Sequence, residues 1–346
     1  MRYDNLYVSG LGTRLPEPLS LVDADAAGLC ERRALWRTEF VSTCVSDTES
    51  GPELAAAAAA GAVRQAGCAA DEIDLILHAS AYYQGHDMWT PASFVQHAAV
   101  GNRCPAIDVR QMSNGGMAAL DLAAAYLTAD PARRAALVTT GDRFCLPGFD
   151  RWRSDLGTVY GDGGTAAVLS TQDGYLQVHS LTTIGDASLE PMARGRAPFH
   201  PAPPVDSWPV DVDSRRKEYV SGAGLDTVLD RIDAGQRDAV KQATSEAGTD
   251  LGDIDWFVLP HLGRARLNEH FLHKFPIDPE RTTWAWGRRI GHLGAGDQIA
   301  GLGHLTASGL LRPGQRCLLA GVGAGFSWSC AVVEMIDEPP AGAGHA

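Results

Sequence analysis

The chain has 346 residues with a formal net charge of −13 at pH 7, and 45% of its residues are apolar and 21% charged. These proportions are typical of a globular protein, which excludes a disordered chain, and the acidic balance disfavours nucleic acid as a partner. Polar residues interrupt every apolar run before the ~18 residues of a membrane span, and no apolar signal segment follows Met1. We therefore expect a cytoplasmic protein without a membrane partner. Seven scattered cysteines without a CxxC pair predict reduced thiols and no zinc site.

Helices and buried strands alternate in the first half of the chain. An Ala-rich segment predicts a helix, and the apolar run after Ala66-Gly67 predicts a buried strand. A Gly-rich loop, an apolar helix and a second strand come next. Small and apolar residues on all sides of this helix indicate that it is buried. The predicted elements are helix 53–65, strand 73–77, loop 113–116, helix 117–127 and strand 135–138.

The same series of elements returns in the second half. Residues 186–208, rich in Pro and Arg, interrupt the pattern and predict an excursion between two copies. A second Ala-Gly pair, Ala247-Gly248, then precedes a strand as the first pair does. The predicted elements are helix 237–246, strand 254–259, loop 291–297, helix 298–306 and strand 317–320. This duplication predicts an α/β fold with pseudo-two-fold symmetry, in which the two apolar helices face one another.

Ser113 lies in the Gly-rich loop of the first copy. The order of strand, tight loop and buried helix puts its hydroxyl at a helix N-terminus, where free N–H groups and the helix dipole stabilise negative charge. The alternative is that Ser113 only caps the helix, a frequent role for serine. The GxSxG pattern of hydrolase nucleophile elbows is absent, which disfavours that family.

His292 and Asp297 occupy the equivalent loop of the second copy. Pseudo-symmetry predicts that this loop lies near Ser113. A hydroxyl nucleophile needs a base to remove its proton, and the base needs a carboxylate that fixes its tautomer. The three residues would supply these three groups. The alternative is that His292 bonds loop carbonyls and Asp297 caps the following helix.

Three other features are candidates for chemistry. His261 directly follows a buried strand, and the ends of strands are where open α/β sheets hold ligands. It is therefore a candidate catalytic acid or base, and the alternative is a loop histidine that only makes hydrogen bonds. The glycines of 321–328 lack the βαβ unit of a dinucleotide site and favour a close approach of backbone to a ligand, such as an oxyanion N–H. His270 and His273 have no evident third metal ligand, which favours a solvated helix face.

Four segments together resemble the thiolase-fold ketosynthases, specifically the ketoacyl-acyl-carrier-protein synthase III group. The segment 107–116 resembles the nucleophile loop, 160–169 resembles the "GDGAGA" turn, Pro260-His261 resembles the "PHQAN" histidine, and 323–328 resembles the closing "GGGFTWG" motif. The resemblance covers nearly the whole chain in order. It implies a thiolase-like fold with duplicated α-β-α-β-α layers. An N-terminal half, 1–175, would carry the nucleophile, and a C-terminal half, 176–346, the His and Asp residues.

The departures from the family pattern bear on function. Ser113 stands in place of the nucleophilic cysteine, His292 in place of the "GNTSA" asparagine, and Arg264 in place of the "PHQAN" asparagine. In ordinary synthases His and Asn stabilise the enolate formed when malonyl carrier protein loses carbon dioxide. The pattern here resembles a smaller branch of secondary-metabolite enzymes that transfer an acyl group from a carrier protein to a hydroxyl or amine. A few serine-bearing members of that branch select starter units for aromatic polyketides.

The resemblance implies an acyltransferase for polyketide or antibiotic biosynthesis without cofactor or metal. Ser113 would attack the acyl thioester, with His292 as general base oriented by Asp297. The backbone N–H groups of Ser113 and Gly325 would form the oxyanion hole, the latter by analogy with the closing motif. His261 would assist at the thiolate leaving group or serve condensation.

The implied partners are an acyl carrier protein or other acyl-thioester donor, a small-molecule acceptor and a second copy of the chain in a homodimer. Two alternatives stay open. One is a starter-unit ketosynthase III that forms a carbon–carbon bond with malonyl carrier protein. The other is a non-catalytic thiolase-fold partner subunit, which would have no need of His292 and Asp297.

Overall fold

The computed structural model describes residues 1–31, 36–201 and 205–340. Within them, nine strands form one mixed sheet, and the short strands β2 and β3 form a separate antiparallel pair. The strands are β1 (Tyr7–Arg14), β2 (Pro18–Ser20), β3 (Ser42–Cys44), β4 (Ile73–Ala79), β5 (Ala106–Val109), β6 (Ala135–Asp142), β7 (Gly163–Ser170), β8 (Leu176–Gly185), β9 (Trp256–Val258), β10 (Arg316–Gly323) and β11 (Ser327–Met335). The helices are α1 (Leu21–Ala26), α2 (Gly51–Ala66), α3 (Pro91–Ala99), α4 (Gly115–Thr128), α5 (Pro191–Arg194), α6 (Val212–Ala223), α7 (Leu225–Ala247), α8 (Arg264–Leu267), α9 (Trp284–Ile290) and α10 (Asp297–Ala307).

The order of strands across the sheet separates the two copies. The order is β5-β4-β6-β7-β1-β8-β11-β10-β9, so the strands of each half of the chain lie together. The halves meet where β1 pairs antiparallel with β8, at Val8 opposite Leu176. In the first half β4 is parallel to β6, which is antiparallel to β7. In the second half β9 is parallel to β10, which is antiparallel to β11. The same local topology therefore occurs twice, as the sequence predicts.

Alternate residues of the strands face different helix layers. In β6, Ala136 and Val138 pack with α4 and α10, whereas Leu137 packs with α2 on the opposite face. In β10, Leu319 faces α4 and α10, and Leu318 faces α7. Successive side chains of a strand point to opposite faces of the sheet. Helices α4 and α10 therefore lie between the first-half strands and the second-half strands, and α2 and α7 lie on the outer faces. The result is the predicted series of α, β, α, β and α layers.

The two Ala-Gly pairs of the duplication end the outer helices. Gly67 after α2 and Gly248 after α7 both have a φ of 64°, a left-handed conformation that costs glycine little. At its other end, α2 begins with a capping box in which the Glu53 carboxylate accepts from the Ser50 N–H at 2.7 Å. A Cβ on Gly12 would lie 2.0 Å from a carbonyl of α2, so only glycine allows β1 to approach this helix so closely.

Some predicted bounds differ from the observed ones. Strand β9 is shorter than the predicted 254–259, and α7 begins at Leu225, before the predicted start of the helix at 237. The described part of the 186–208 excursion holds α5 and short 3-10 turns but no strand, and residues 202–204 lie outside the described part. The boundary between halves at 175 and 176 stays a prediction. No helix among the described residues combines the length and apolar composition needed to cross a bilayer.

Candidate active site

Ser113 lies in a tight turn between strand β5 and the buried helix α4. The turn is a single 3-10 turn, Met112–Asn114, and α4 begins at Gly115. Met112 has a positive φ of 49°, which is strained for a residue with a side chain, and such strain clusters at active sites. The half-buried Ser113 hydroxyl thus stands at the N-terminal end of a helix, as the sequence predicts. Free N–H groups there favour negative charge.

The second predicted loop, residues 291–297, lies directly against the N-terminus of α4. A Cβ on Gly116 would come 2.4 Å from the carbonyl oxygen of Ala295, and one on Gly115 would come 3.1 Å from its Cβ. Any side chain at Gly116 would therefore force the two segments apart. The glycine pair after Ser113 is what allows the two central helices to meet near this residue.

His292 is held in place by the segment 159–161. Its backbone N–H donates to the Val159 carbonyl at 2.8 Å, and its carbonyl accepts from the Gly161 N–H at 2.9 Å. The ring of Tyr160 packs edge-on against the imidazole, with 5.0 Å between ring centroids. In the sequence, residues 160–169 stand out only by their resemblance to a family motif. The contact with His292 depends on tertiary structure, so no local signal could have shown it.

A hydrogen-bonded chain joins Ser113, His292 and Asp297. The Ser113 Oγ lies 2.8 Å from His292 Nε2, and His292 Nδ1 lies 2.6 Å from Asp297 Oδ2. Both His292 and Asp297 are buried. Because an ionised carboxylate can only accept, the proton of the neutral ring is on Nδ1, and the lone pair of Nε2 faces the serine hydroxyl. This geometry allows His292 to take the proton of Ser113.

The charges of the site are consistent with that arrangement. Burial lowers the pKa of His292, but the charge and hydrogen bond of Asp297 outweigh burial, so the pKa is raised above its ordinary value. Burial raises the pKa of Asp297, but His261 and His292 outweigh this effect and bring the pKa down to about 2. At neutral pH Asp297 is therefore ionised, and His292 is a stronger base than free imidazole.

His261 contacts the His292 loop through Asp297 and Gly291. Its backbone N–H donates to Asp297 Oδ2 at 2.8 Å, and its ring Nδ1 lies 2.9 Å from the carbonyl of Gly291. A carbonyl only accepts, so Nδ1 carries a proton. The buried Nε2 has no hydrogen-bond partner among the described residues, and a Cβ on Gly287 would come 2.9 Å from it. His261 thus belongs to the site, beside Asp297. Arg264 begins α8.

Gly325 lies at the centre of the hairpin turn that joins β10 and β11. The turn begins after Gly323, where an added Cβ would come 2.3 Å from the carbonyl of Gln111, in the segment that leads to Ser113. This close approach brings the hairpin turn against the nucleophile turn. The backbone of Phe326 pairs with Asp186 in both directions, at 2.9 and 3.2 Å, which fixes the other side of the hairpin.

Asp142 is a buried carboxylate that sequence analysis did not single out. It ends strand β6 and accepts from the N–H groups of Ala81 at 2.9 Å, Tyr82 at 2.8 Å and Ala295 at 3.2 Å. Burial raises its pKa to about 7. A Cβ on Gly294 would lie 2.4 Å from its Oδ2, so Asp142 packs directly against the His292 loop. The sequence signal that could have identified Asp142 is its position as a charged residue at the end of an apolar strand.

The two histidines considered as metal ligands lie between α8 and α9. His270 is in a short π-helix, Asn268–Leu272, and His273 follows it. Among the residues that the structure describes, no group of three or more His, Cys, Asp or Glu side chains is arranged to hold a metal ion.

Comparison with known proteins identifies the family. The family model of 3-oxoacyl-[acyl-carrier-protein] synthase III matches residues 107–185. The model of the C-terminal part of the same family matches residues 244–335. A β-ketoacyl-[acyl-carrier-protein] synthase III of Rhodospirillum rubrum is 30% identical over 341 residues, which cover 95% of this chain and 98% of that protein. The chain belongs to the 3-oxoacyl-[acyl-carrier-protein] synthase III family. It is therefore an enzyme of the synthase III type.

Solved structures confirm the predicted thiolase-like fold. The acyltransferase ChlB3 superposes with a TM-score of 0.93 at 31% identity, covering 97% of this chain and 99% of that one. A priming β-ketosynthase from the R1128 polyketide biosynthetic pathway gives a TM-score of 0.77 at 20% identity, with 98% of both chains covered. The 3-oxoacyl-[acyl-carrier-protein] synthase III of Aquifex aeolicus gives 0.77 at 18% identity, covering 95% of this chain and 99% of that one. At such identities the last two support the fold alone.

Proposed function

We propose that this member of the synthase III family is an acyltransferase with Ser113 as nucleophile. His292 takes the hydroxyl proton as Ser113 Oγ attacks the carbonyl carbon of an acyl thioester. The carbon–sulfur bond breaks, the thiol leaves with that proton, and the acyl group stays on Ser113. His292 then takes the proton of an acceptor hydroxyl or amine, which attacks the ester and releases the serine. The single observation that carries this proposal is the hydrogen-bonded chain from Ser113 through His292 to Asp297.

The developing negative charge on the carbonyl oxygen needs donors in both steps. We assign this role to the backbone N–H groups of Ser113 and Gly325. Support comes from the position of Ser113 at the start of α4 and from the close approach of the β10–β11 hairpin to the same turn. Removal of one such donor typically costs 10²–10³-fold in rate, so this pair is a large part of the proposed catalysis.

The contacts of His261 favour acyl transfer over decarboxylative condensation. An enolate is stabilised by hydrogen-bond donors. The Nδ1 proton of His261 bonds the Gly291 carbonyl, so this proton is not available to an enolate. The asparagine donors of the family pattern are replaced by His292 and Arg264. The name of the similar protein ChlB3, an acyltransferase, points the same way.

A starter-unit ketosynthase III is the second candidate, because the relatives of similar length are β-ketoacyl-[acyl-carrier-protein] synthases III. In that case the acyl group on Ser113 would join the enolate of malonyl carrier protein with loss of carbon dioxide. A non-catalytic partner subunit is disfavoured, since it has no need of a buried base and carboxylate beside a serine hydroxyl.

The finer parts of the proposal rest on the family resemblance. We assign the donor to an acyl carrier protein or another acyl thioester, and the acceptor to a small molecule of natural-product biosynthesis. We also propose a homodimer and two thiolase-like halves, 1–175 and 176–346.

The test combines a panel of acyl thioesters with intact-protein mass spectrometry. We expect an adduct of acyl mass on the wild-type protein and none on Ser113→Ala. Incubation with carboxyl-labelled malonyl carrier protein then separates the two candidate reactions. Label released as carbon dioxide at the rate of turnover, together with a ketoacyl product, would overturn the acyltransferase proposal in favour of the ketosynthase.

A further inference from the structure

Three polar side chains tie the β10–β11 hairpin to the nucleophile turn. The Ser327 hydroxyl, at the first residue of β11, donates to Gln111 Oε1. The Asn114 amide Nδ2 lies 3.2 Å from Ser327 Oγ. Gln111 and Asn114 flank Ser113 on either side, and Ser327 follows the turn that contains Gly325. We call these three residues, Gln111, Asn114 and Ser327, the loop clamp.

The directions of the hydrogen bonds in the loop clamp are fixed by the number of protons available. A serine hydroxyl has one proton, and that of Ser327 goes to Gln111. The hydroxyl oxygen can therefore only accept from Asn114, which turns the amide nitrogen of Asn114 toward β11. The same nitrogen also donates to Ser329 Oγ at 2.7 Å. Ser327 and Asn114 are buried, so water does not readily replace the bond between them, whereas Gln111 is exposed.

The backbones of the two segments touch at the same place. A Cβ on Gly323 would lie 2.3 Å from the Gln111 carbonyl oxygen and 2.8 Å from the backbone nitrogen of Asn114. A Cβ on Gly321 would lie 2.5 Å from Asn114 Oδ1. Glycines thus allow the contact, and the loop clamp determines how the hairpin is aligned along it.

We propose that Ser327 is a positioning residue of the oxyanion hole. The inference rests on the proposed acyl-enzyme mechanism. One donor, the Ser113 N–H, lies inside the turn that carries Gln111 and Asn114, and the other, the Gly325 N–H, lies two residues before Ser327. The loop clamp therefore sets the separation of the two donors. A displacement of about 1 Å in such a site can cost on the order of 10²-fold in rate.

Ser329 offers a matched control. It lies on the same strand as Ser327, its hydroxyl accepts from the same Asn114 amide, and it is fully buried. Its other contact is Thr183 Oγ1 at 2.9 Å, on β8, away from the hairpin turn. Ser327→Ala and Ser329→Ala thus remove the same group from similar surroundings. Only the first removes a bond that aligns Gly325 on Ser113.

The test measures acylation of Ser113 by p-nitrophenyl acetate, from the burst of p-nitrophenolate and the mass of the acetyl adduct. We expect Ser327→Ala to lower the acylation rate by about 10- to 100-fold, with KM within about twofold of wild type. Ser329→Ala should stay within about threefold. Thermal unfolding should shift similarly for both variants, since the Phe326–Asp186 backbone pair keeps the hairpin folded. Ser327→Thr, which keeps the hydroxyl, should restore most of the rate.

The outcomes separate this inference from the proposed function. If the wild-type protein forms no adduct with this ester or with the acyl-thioester panel, the acyl-enzyme fails and the positioning role fails with it. If the adduct forms but Ser327→Ala and Ser329→Ala are equally fast, or equally slow, only the positioning role is wrong. Failure of Ser327→Thr to recover the rate would also contradict it.

Discussion

Replacement of Asp297 by asparagine tests the hydrogen-bonded chain directly. The carboxylate accepts from His292 Nδ1 at 2.6 Å and from the backbone N–H groups of His261 and Leu293, both at 2.8 Å. Asparagine has nearly the same shape as aspartate, but one of the two carboxylate oxygens is replaced by an NH₂ group, which donates and cannot accept. When that donor faces His292, the ring must carry its proton on Nε2, toward Ser113. The imidazole then has no lone pair for the serine proton.

The expected effect on rate and stability can be worked from the site. Loss of the correctly oriented base should lower the acylation rate by about 10²–10⁴-fold. The pKa of Asp297 falls from 3.8 to about 2 in the fold, which corresponds to about 2 kcal/mol of stability for the ionised form. Because the folded-state pKa is lowered, this contribution is present above pH ~4 and is lost as the pH falls toward 2. At neutral pH Asp297→Asn should therefore unfold more easily by a similar amount.

The assay is the pH dependence of acyl-adduct formation. Acylation needs neutral His292, whose pKa the charge of Asp297 raises, so the rate should increase with pH through that raised value. Without the charge the inflection should move to lower pH. Asp255→Asn is the control, since this carboxylate accepts from the Arg316 N–H at 2.8 Å at the opposite end of β9. An Asp297→Asn protein with more than about a tenth of the wild-type rate and an unmoved inflection would refute the reasoning.

Four further substitutions test the site. Ser113→Ala should abolish the adduct but cost at most about 1 kcal/mol of stability, by mass spectrometry and thermal unfolding; an unchanged acylation rate would remove Ser113 from the mechanism. His292→Ala should lose about 10²–10⁴-fold in transfer rate and His261→Gln less than about tenfold; the reverse order would favour the ketosynthase. Gly116→Ala puts a Cβ 2.4 Å from the Ala295 carbonyl oxygen. The free energy of unfolding should therefore fall by about 1–3 kcal/mol, and the acylation rate should fall as well. Wild-type values of both quantities would contradict the close approach.

Much of the fold could be predicted from the sequence because its signals are local and occur twice. Apolar runs such as that of β4 and β10 mark buried strands, and the Ala-Gly pairs mark the ends of α2 and α7. Small residues along the whole of α4 indicated its central position. The proximity of Ser113 to the 291–297 loop followed from the symmetry of the two copies. The first turns of α7 were missed although Leu225, Val228, Leu229 and Ile232 have the spacing of one helix face.

The finer geometry of the site depends on contacts between residues far apart in the chain. The proton on Nδ1 of His261 is assigned only by the Gly291 carbonyl opposite it. The bond between Ser327 and Gln111 joins two loops from different halves. Asp142 becomes part of the site because Ala295 donates to it. None of these pairs has a sequence spacing that a pattern could reveal, so only the assembled structure shows them.

The two departures from the family pattern at Ser113 and His292 depend on one another. A cysteine nucleophile is partly ionised near neutral pH, so it reacts without a base, whereas a serine hydroxyl stays protonated unless a base takes its proton. Serine beside asparagine would therefore be inert, and histidine beside serine supplies what the asparagine cannot. A buried histidine alone would lose basicity by desolvation, and Asp297 restores it. The same carboxylate accepts from the His261 backbone N–H at 2.8 Å, which holds it in place beside His292. A base of this kind is what the proposed transfer to an acceptor alcohol or amine requires.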